Sequence, residues 1–600
     1  MTTTPPWFAQ YEPGVPLTVD IPEIPVYRLL DDAAAATPNR VALRMVLKYL
    51  SMGLVIESKA TYRQVQEATD RFAAALADLG IKKGDRVAIM LPNIPEYIVV
   101  YFGILKAGAT VVNTNPTYTP RELRHQLHDC AAVAIVTLTG LAERIEEIRD
   151  ETALRHVILT DVVTSLPIHW RLLAAGQVRK SGLMAHVDPA PHRHNLAKLI
   201  KQHPPQPPQA AVTADDVALF QYSGGTTGTP KAAMLTHGNL VANVYQVRPW
   251  LTSAVPGQEV MLGALPFFHV YGMTACLLYA LSMGMEIVLT PDPRQTELTM
   301  QIVQHCGITF YPGVPAIYTG IIHHPNVSKY NLRTIKACVS GGAALPVEVA
   351  KQFMEITGGR LVEGYGLTEC SPVVAAGRIQ GENPVGAAGL PLPSTTIEIV
   401  SLTPDEHGDF PPVPLGEEGE VVIHGPQVMK GYWNQPEETA KVIDRRGGLH
   451  TGDIARMDEN GYLYIVDRKK DLIIVSGYNV VPREVEEVLY MHPAVMEAVV
   501  VGVPNERRGE IVKAYIVLKP GQSAMDYEIR GFCRKNLAPY KVPRAIEFRD
   551  QLPKSQVGKV LRRLLVEEEK TKLDEKKRQS ESVPPAVGEG QGIPRPATSP

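Results

Sequence analysis

Residues 86–113 read RVAIMLPNIPEYIVVYFGILKAGATVVN. Arg86-Val-Ala-Ile-Met-Leu91 is a short apolar run ended by Pro92-Asn93, the pattern of a buried strand. Tyr97 to Lys106 follows with the character of a helix, and Thr110-Val-Val-Asn113 as the next strand. Upstream, Gln64 to Leu79 carries apolar residues at helical spacing, with Gly80 placed as a C-cap. Strand, helix and strand in such close succession predict a parallel α/β sheet, and the rhythm recurs through residues 215–400. Near residue 468 the texture changes. Short strands (Ala498 to Gly502, Lys513 to Leu518) alternate with helices (Pro482 to His492, Tyr527 to Leu537), which predicts a small α+β domain.

The 600 residues allow several domains. A net charge of −3 argues against nucleic acid as a partner, because phosphate-backbone binding needs a basic surplus. Six cysteines without a CxxC pair (Cys130, Cys276, Cys306, Cys338, Cys370, Cys533) suit a reducing, cytoplasmic setting and free thiols. The first 25 residues are polar and broken by prolines, with no apolar signal core. The run from Val270 meets Glu286 before reaching the roughly 20 residues that a bilayer crossing takes, so a buried helix followed by a strand is expected there.

Four motifs carry chemistry. Tyr222-Ser-Gly-Gly-Thr-Thr-Gly-Thr-Pro-Lys231 follows the apolar strand Val217 to Phe220. Gly224, Gly225 and Gly228 let the backbone turn tightly and aim several N–H groups at one anion. Ser223, Thr226, Thr227 and Thr229 add hydroxyls, and Lys231 adds a mobile charge. The loop differs from the G-x-x-x-x-G-K-[ST] type, since Pro230 precedes the lysine and Ala232 follows it. In Gly364-Tyr-Gly-Leu-Thr-Glu369, Tyr365 offers a face to a base, Thr368 a hydroxyl to a phosphate, and Glu369 a carboxylate to Mg²⁺. In Thr451-Gly-Asp453 the carboxylate at a strand end suits the paired hydroxyls of a ribose. In Pro553-Lys-Ser-Gln-Val-Gly-Lys559 a lysine rides on a glycine-flanked loop, where an ammonium could offset charge building in a transition state.

Taken together and in this order, these motifs resemble the adenylate-forming superfamily of acyl-CoA synthetases, peptide-synthetase adenylation domains and beetle luciferases. The resemblance covers roughly residues 25–568. It implies a large adenylation domain with parallel α/β subdomains and a small distorted barrel, and a small mobile α+β C-terminal domain. The boundaries expected are an N-terminal extension at 1–25, an AMP-binding domain at 26–468 with an insert at 162–209, a lid at 469–570 and a disordered tail at 571–600. By resemblance, Gly341, Gly342 and Ala343 of Ser340-Gly-Gly-Ala-Ala344 lie against the adenine, with Gly364, Tyr365, Gly366 and Thr368. Asp453 holds the ribose and Arg468 the ribose or a phosphate. His269 of Leu265-Pro-Phe-Phe-His-Val-Tyr-Gly-Met273 lies by the acyl carbonyl, with Tyr271, Gly272 and Met273 near the acyl entrance and Gly313-Val-Pro-Ala316 lining the pocket. Thr226, Lys231, Glu369, His269 and Lys559 are the implied catalytic set, with Thr226 and Glu369 on Mg²⁺. Lys470 is the implied hinge, and Gly477 lies near the pantetheine tunnel. The family more often has a small residue where Val557 stands, a departure that leaves Lys559 untouched.

The implied reaction is carboxylate plus ATP to acyl-AMP and pyrophosphate, then acyl transfer to coenzyme A. The stretch Glu363–Val374, the proline-rich N-terminus with Trp7 and Tyr11, and the long insert are similar to bacterial long-chain fatty acid CoA ligases. A long- or medium-chain fatty acid is therefore the expected substrate. Aryl acids are the main rival, followed by an enzyme that loads a carrier protein. A light-emitting oxygenase shares the adenylation half. A non-catalytic nucleotide-binding protein would have lost residues that are present here. A homo-oligomer is expected. Between Leu166 and His203 six Lys/Arg stand against Asp188 alone, with Leu166, Trp170 and Leu173 placed on one helical face. An interfacial helix at the inner face of a membrane and a helix packed on the body with a solvated basic face both fit. His192 and His194 lack a third metal ligand in the sequence around them.

Overall fold

Thr61 starts the first long helix as a reciprocal cap. Gln64 N–H donates to Thr61 Oγ1 at 3.3 Å, and Thr61 N–H donates to Gln64 Oε1 at 2.9 Å. The helix Tyr62–Asp78 ends at Gly80, whose φ of +78° glycine adopts freely. Pro95 opens the helix Pro95–Lys106 at its first position, and every residue of that helix is buried. At its end Lys106 is buried between two carboxylates, with Nζ 2.5 Å from Asp31 Oδ1 and 2.5 Å from Asp70 Oδ1. A buried ammonium is retained only when paired in this way.

The computed structural model describes residues 5–50, 53–223, 230–406, 409–468, 471, 473–475, 478–505, 509–555 and 560–581. The chain divides into two units, Met1–Lys470 with Lys554–Lys559, and Asp471–Pro553 with Val560–Pro600. The first unit is built on a parallel run of Val217–Ser223, Thr110–Asn113, Arg86–Met90, Ala134–Leu138, His156–Thr160 and Arg193–Asn195. Lys231–Thr236 and Gly431–Tyr432 extend it antiparallel. In a second sheet, Val260–Gly263 and Glu286–Leu289 pair in parallel, followed by Val41–Tyr49 and Val55–Thr61. A third begins with the parallel pair Ala337–Ser340 and Arg360–Gly366, then turns antiparallel through Val373–Ala376. Thr396–Val400, Gly419–His424, Leu449–Met457 and Leu463–Arg468 make an all-antiparallel sheet where the small barrel is expected.

The second unit is α+β. Val495–Asn505 and Gly509–Leu518 pair antiparallel, and Ala545–Phe548 joins the latter in parallel. Its sheet is buried on both faces. Ala498, Val500, Ala514 and Ile516 pack toward Leu489 and Ile529, while Val499, Val501, Tyr515 and Val517 pack toward Leu552 and Leu565, as period-two alternation dictates.

Three expectations are corrected. The α/β rhythm does not run uniformly through 215–400, because Val217–Ser223 and Lys231–Thr236 form a hairpin and the chain is antiparallel after Gly366. Leu166, Trp170 and Leu173 do not share a helical face. The helix is Ile168–Lys180, Leu166 precedes it and is buried, and Leu173 is exposed. The helix Arg562–Glu581 runs into the segment expected to be a disordered tail, helped by the strong helix formers of TKLDEKKRQSE. Within the insert, Arg193–Asn195 forms the edge strand of the main sheet. In the N-terminal extension Trp7 is buried and Tyr11 OH donates to Pro391 O.

His237, buried at the start of the helix His237–Val247, accepts the Val26 N–H on Nδ1 at 3.0 Å. Burial lowers its pKa to about 4. With an unfolded value near 6.5, the unfolded chain gains a proton first as the pH falls. The stability from the neutral imidazole is therefore whole above about pH 6.5 and is lost from there down to about pH 4. His237→Gln keeps an acceptor without the titration, so its urea midpoint should fall less steeply across that window than the wild type's. Parallel slopes would contradict a neutral buried imidazole.

Candidate active site

Ser223 and Lys231 are register partners at the open end of the hairpin, so the glycine-rich turn between them is pinned at both ends. Gly224, Gly225, Thr226, Thr227, Gly228 and Thr229 lie outside the described residues. Ser223 Oγ donates to Glu369 Oε1 at 3.2 Å, and Tyr432 OH donates to the same oxygen at 2.9 Å. The two sequence motifs are thus joined through one carboxylate. Lys231 forms an ion pair with Glu438 and lies 5.3 Å above the Tyr432 ring. Lys231 and then Lys441 hold the Glu438 carboxyl down to about 2.

Glu369 is aimed by a tight turn. A Cβ at Gly366 would lie 2.1 Å from Pro372 O, so only glycine lets the strand pass under that carbonyl. Leu367 N–H donates to the same oxygen at 3.0 Å, and Met429 N–H donates to Glu369 O at 2.8 Å. Thr368 opens the short helical turn Thr368–Cys370. Gly364 allows close approach to Val339, where a Cβ would stand 2.8 Å from Cγ1.

Tyr365 OH donates to Asp453 Oδ2 at 2.7 Å. Burial, with the Asp453 charge beside it, keeps the phenol well above its usual range, so it remains a donor. Asp453 is 8% exposed, and its N–H donates to Thr451 Oγ1 at 3.1 Å. Arg468 stands opposite Asp453 in the antiparallel register, its side chain lying outside the description. Gly341, Gly342 and Ala343 follow the strand Ala337–Ser340. Gly341 is crowded by the Tyr271 ring, 3.0 Å from where a Cβ would be, and Gly342 takes a φ of +76°. Ala343 is exposed.

His269 is half-buried. Its Nδ1 accepts Tyr271 N–H at 3.2 Å, which makes Nε2 the protonated nitrogen of the neutral ring. The loop carrying it is held by amides from neighbouring strands. Asn93 Nδ2 donates to Gly263 O and Leu265 O, and Asn93 Oδ1 accepts Phe267 N–H. Tyr97 OH lies 2.8 Å from Phe267 O, and Gln221 Nε2 donates to Phe268 O at 3.1 Å. A cavity of about 350 Å³ adjoins this loop, lined by Leu265, Pro266, Tyr311, Val314, Ala316 and Ile321 among others, in the size range of small-molecule sites. Val314 and Ala316 are among its walls. Tyr271, Gly272 and Met273 are packed closely. Tyr271 OH donates to Val339 O, a Cβ on Gly272 would lie 2.3 Å from Pro266 O, and Met273 is fully buried.

Lys470, Gly477 and Lys559 lie outside the described residues. The motif reading passed over Tyr432, Glu438 and the amides Asn93, Asn113 and Gln221. Only the unusual density of amides beside apolar strands could have marked the last three.

The sequence pattern of AMP-binding enzymes matches residues 30–433, and that of the AMP-binding enzyme C-terminal domain matches residues 484–559. A long-chain-fatty-acid-CoA ligase of Bacillus subtilis (strain 168) is 44% identical over 578 residues, covering 95% of this chain and 99% of the relative. One from Escherichia coli O6:H1 is 39% identical over 579 residues, covering 95% and 99%. Among solved structures, an anthranilate CoA ligase in complex with anthranoyl-AMP superposes with a TM-score of 0.80 at 26% identity, covering 93% of this chain and 99% of that one.

A polyphosphate bound at Lys231 would have to displace the Glu438 carboxylate from it. Glu438→Gln should tighten binding of a nucleoside triphosphate a few-fold at low salt, with the gain shrinking as salt screens the charges. Calorimetric titration at two ionic strengths reads both effects, and unchanged or weaker binding would refute the competition.

Proposed function

The chain belongs to the AMP-binding enzyme family, and on that premise we propose that it is an ATP-dependent ligase joining a long-chain fatty acid to coenzyme A. The observation that carries this reading is the near full-length identity to two long-chain-fatty-acid-CoA ligases, 44% and 39%. The carboxylate attacks the α-phosphorus of ATP and pyrophosphate leaves. The thiol of coenzyme A then attacks the acyl carbonyl and AMP leaves.

Both steps gather anions, so the protein's task is charge and position. The glycine-rich loop and Lys231 take the phosphates, the Gly341–Ala343 turn and Tyr365 take the adenine, and Asp453 with Arg468 takes the ribose. Asp453 arrives already oriented by Tyr365 OH. His269 meets the acyl carbonyl beside the cavity lined by Leu265 and Val314, and Lys559 neutralises the α-phosphate as the mixed anhydride forms. Glu369 and Thr226 would hold Mg²⁺, an all-oxygen set that suits this hard cation, and the ion would offset phosphate charge. Glu369 fits the part, because its Oε1 is anchored by the hydroxyls of Ser223 and Tyr432, which hold the half-buried carboxylate in one orientation. The smaller unit would reorient about Lys470 between the half-reactions, exchanging Lys559 for the face that bears Gly477.

The anthranilate ligase shares the fold at 26% identity, and the higher identities to fatty acid ligases, 44% and 39%, support an alkyl chain over an aryl acid. All six cysteines are free thiols, which supports a cytoplasmic setting. Among the described residues no helix is long and apolar enough to cross a membrane. Peripheral contact has a better-placed candidate than the face expected from sequence. On the helix Ile168–Lys180, Ile168 is 66% exposed, Leu172 75% and Leu173 59%, with Arg179 and Lys180 exposed at the C-terminal end. Apolar side chains bordered by cations suit an anionic bilayer surface.

With ATP, Mg²⁺ and coenzyme A, acids from acetate to oleate should yield AMP and acyl-CoA at rates rising with chain length, with coumarate poor and Lys559→Ala inactive. Acyl-AMP without acyl-CoA would point to a carrier protein as acceptor, and no AMP from any acid would remove the assigned substrate. In flotation with anionic vesicles, the wild type should rise with the lipid and the double variant Leu172→Ser, Leu173→Ser should stay below. Equal partitioning of the two would end the membrane assignment.

A further inference from the structure

A second cavity, of about 530 Å³, opens in the larger unit among residues that none of the four motifs includes. Its walls come from the helix Tyr62–Asp78, the start of the helix Pro95–Lys106, the segment Thr164–Ser165 and the helix Leu196–Gln202. The lining is mainly hydrocarbon: Leu43, Val65, Val99, Leu196 and Ile200. Three charged residues break it, Glu96, Arg71 and Lys201.

Glu96 is the anomaly. It is only 7% exposed, and Ser165 on the cavity wall hydrogen-bonds its carboxyl group, yet its buried Oε2 has no partner within hydrogen-bonding geometry among the described residues. Buried carboxyl oxygens almost always have a donor, and one left without costs stability. Its place in the first helical turn after Pro95 accounts for an acidic residue there, but not for the free oxygen on a cavity wall. The cavity's size falls within that of sites for small organic ligands.

The charges around it select the occupant. Arg71 is fixed by donating Nη1 to His203 O at 2.7 Å, Lys201 lines the same space, and Arg171 acts on Glu96 electrostatically. Two lining cations against one carboxylate disfavour a cationic amphiphile and favour an anionic head. A carboxylic acid meets every requirement. Its carboxyl and that of Glu96 can share one proton, as two carboxyls in one site do, leaving a single negative charge for Arg71 and Lys201.

We propose that this cavity is a second fatty-acid site, its chain lying along Leu43, Val65, Val99, Leu196 and Ile200 and its carboxyl hydrogen-bonded to Glu96 with Arg71 and Lys201 as counter-charges. The site is separate from the acyl cavity at Val314 and does not depend on the ligase reading.

The test is photolabelling of the full chain with a diazirine-bearing palmitate, followed by peptide mapping. Label is expected in the peptides of residues 62–78 and 196–202. Ala197→Trp, which fills the cavity from an exposed position on its rim, should remove that label, and Glu96→Leu, which takes away the shared proton and leaves no donor in its place, should weaken palmitate binding there about tenfold, the worth of one hydrogen bond to a charged group. Dodecanol and dodecyltrimethylammonium should compete poorly, whereas laurate competes well. Both variants should keep the wild type's circular dichroism spectrum and a cooperative thermal transition, which verifies that they fold. Absence of label from these peptides, or label indifferent to both substitutions, would overturn the proposal. Better competition by dodecyl phosphate than by laurate would overturn the carboxylate assignment in favour of a phospholipid-type head.

Discussion

The candidate site depends first on a buried amide, Asn113. Its Oδ1 lies 2.6 Å from Tyr97 OH and its Nδ2 donates to Gln221 Oε1 at 3.0 Å. Asn113 ends one central strand of the main sheet, Gln221 lies on the neighbouring strand, and Tyr97 comes from the fully buried helix between strands. In the loop that carries His269, Tyr97 OH and Asn113 Nδ2 reach Phe267 O, and Gln221 Nε2 donates to Phe268 O. Such a network is strong because all its members are satisfied in a low-dielectric core. It fixes the aromatic loop to the same strand that launches the glycine-rich turn, so the loop of His269 and that turn share one frame.

The second frame is the Glu369 turn. Ser223 reaches it from the hairpin and Tyr432 from the short strand paired to Lys231–Thr236. Asn243 clamps Val373 just beyond the turn from both sides, Nδ2 to Val373 O at 2.7 Å and Val373 N–H to Oδ1 at 3.0 Å. The residues expected to meet nucleotide are therefore oriented by protein groups beforehand, which removes reorganisation from the reaction.

Much of this was legible in the sequence. Gly80 and Asn113 mark element ends because local chemistry sets them, and the helix Pro482–Tyr490 follows a strongly periodic stretch. The chemistry-bearing motifs were legible because small residues and hydroxyls are dense there for reasons packing does not supply. What escaped was long-range. Nothing near Lys231 in the chain announces Glu438, and Arg193–Asn195 is too short and polar to read as a sheet edge. The expected face of Leu166, Trp170 and Leu173 failed because Pro167 delays the helix start to Ile168. Lys231–Thr236 returns antiparallel to Val217–Ser223 because the glycine-rich turn is too short for a parallel crossover.

Gly366 and Glu369 stand three positions apart yet answer to different constraints. The glycine is imposed by the Pro372 carbonyl above it, a demand of chain geometry that holds whether or not any substrate is ever turned over. Nothing in the chain's geometry imposes the glutamate, whose carboxylate is proposed to hold an ion. A descendant of this chain that drifted into a purely architectural life would be free to shed the carboxylate while the glycine stayed, since losing it would misfold the turn. In judging which relatives are still enzymes, the glycine testifies only to ancestry, and the glutamate to an occupation.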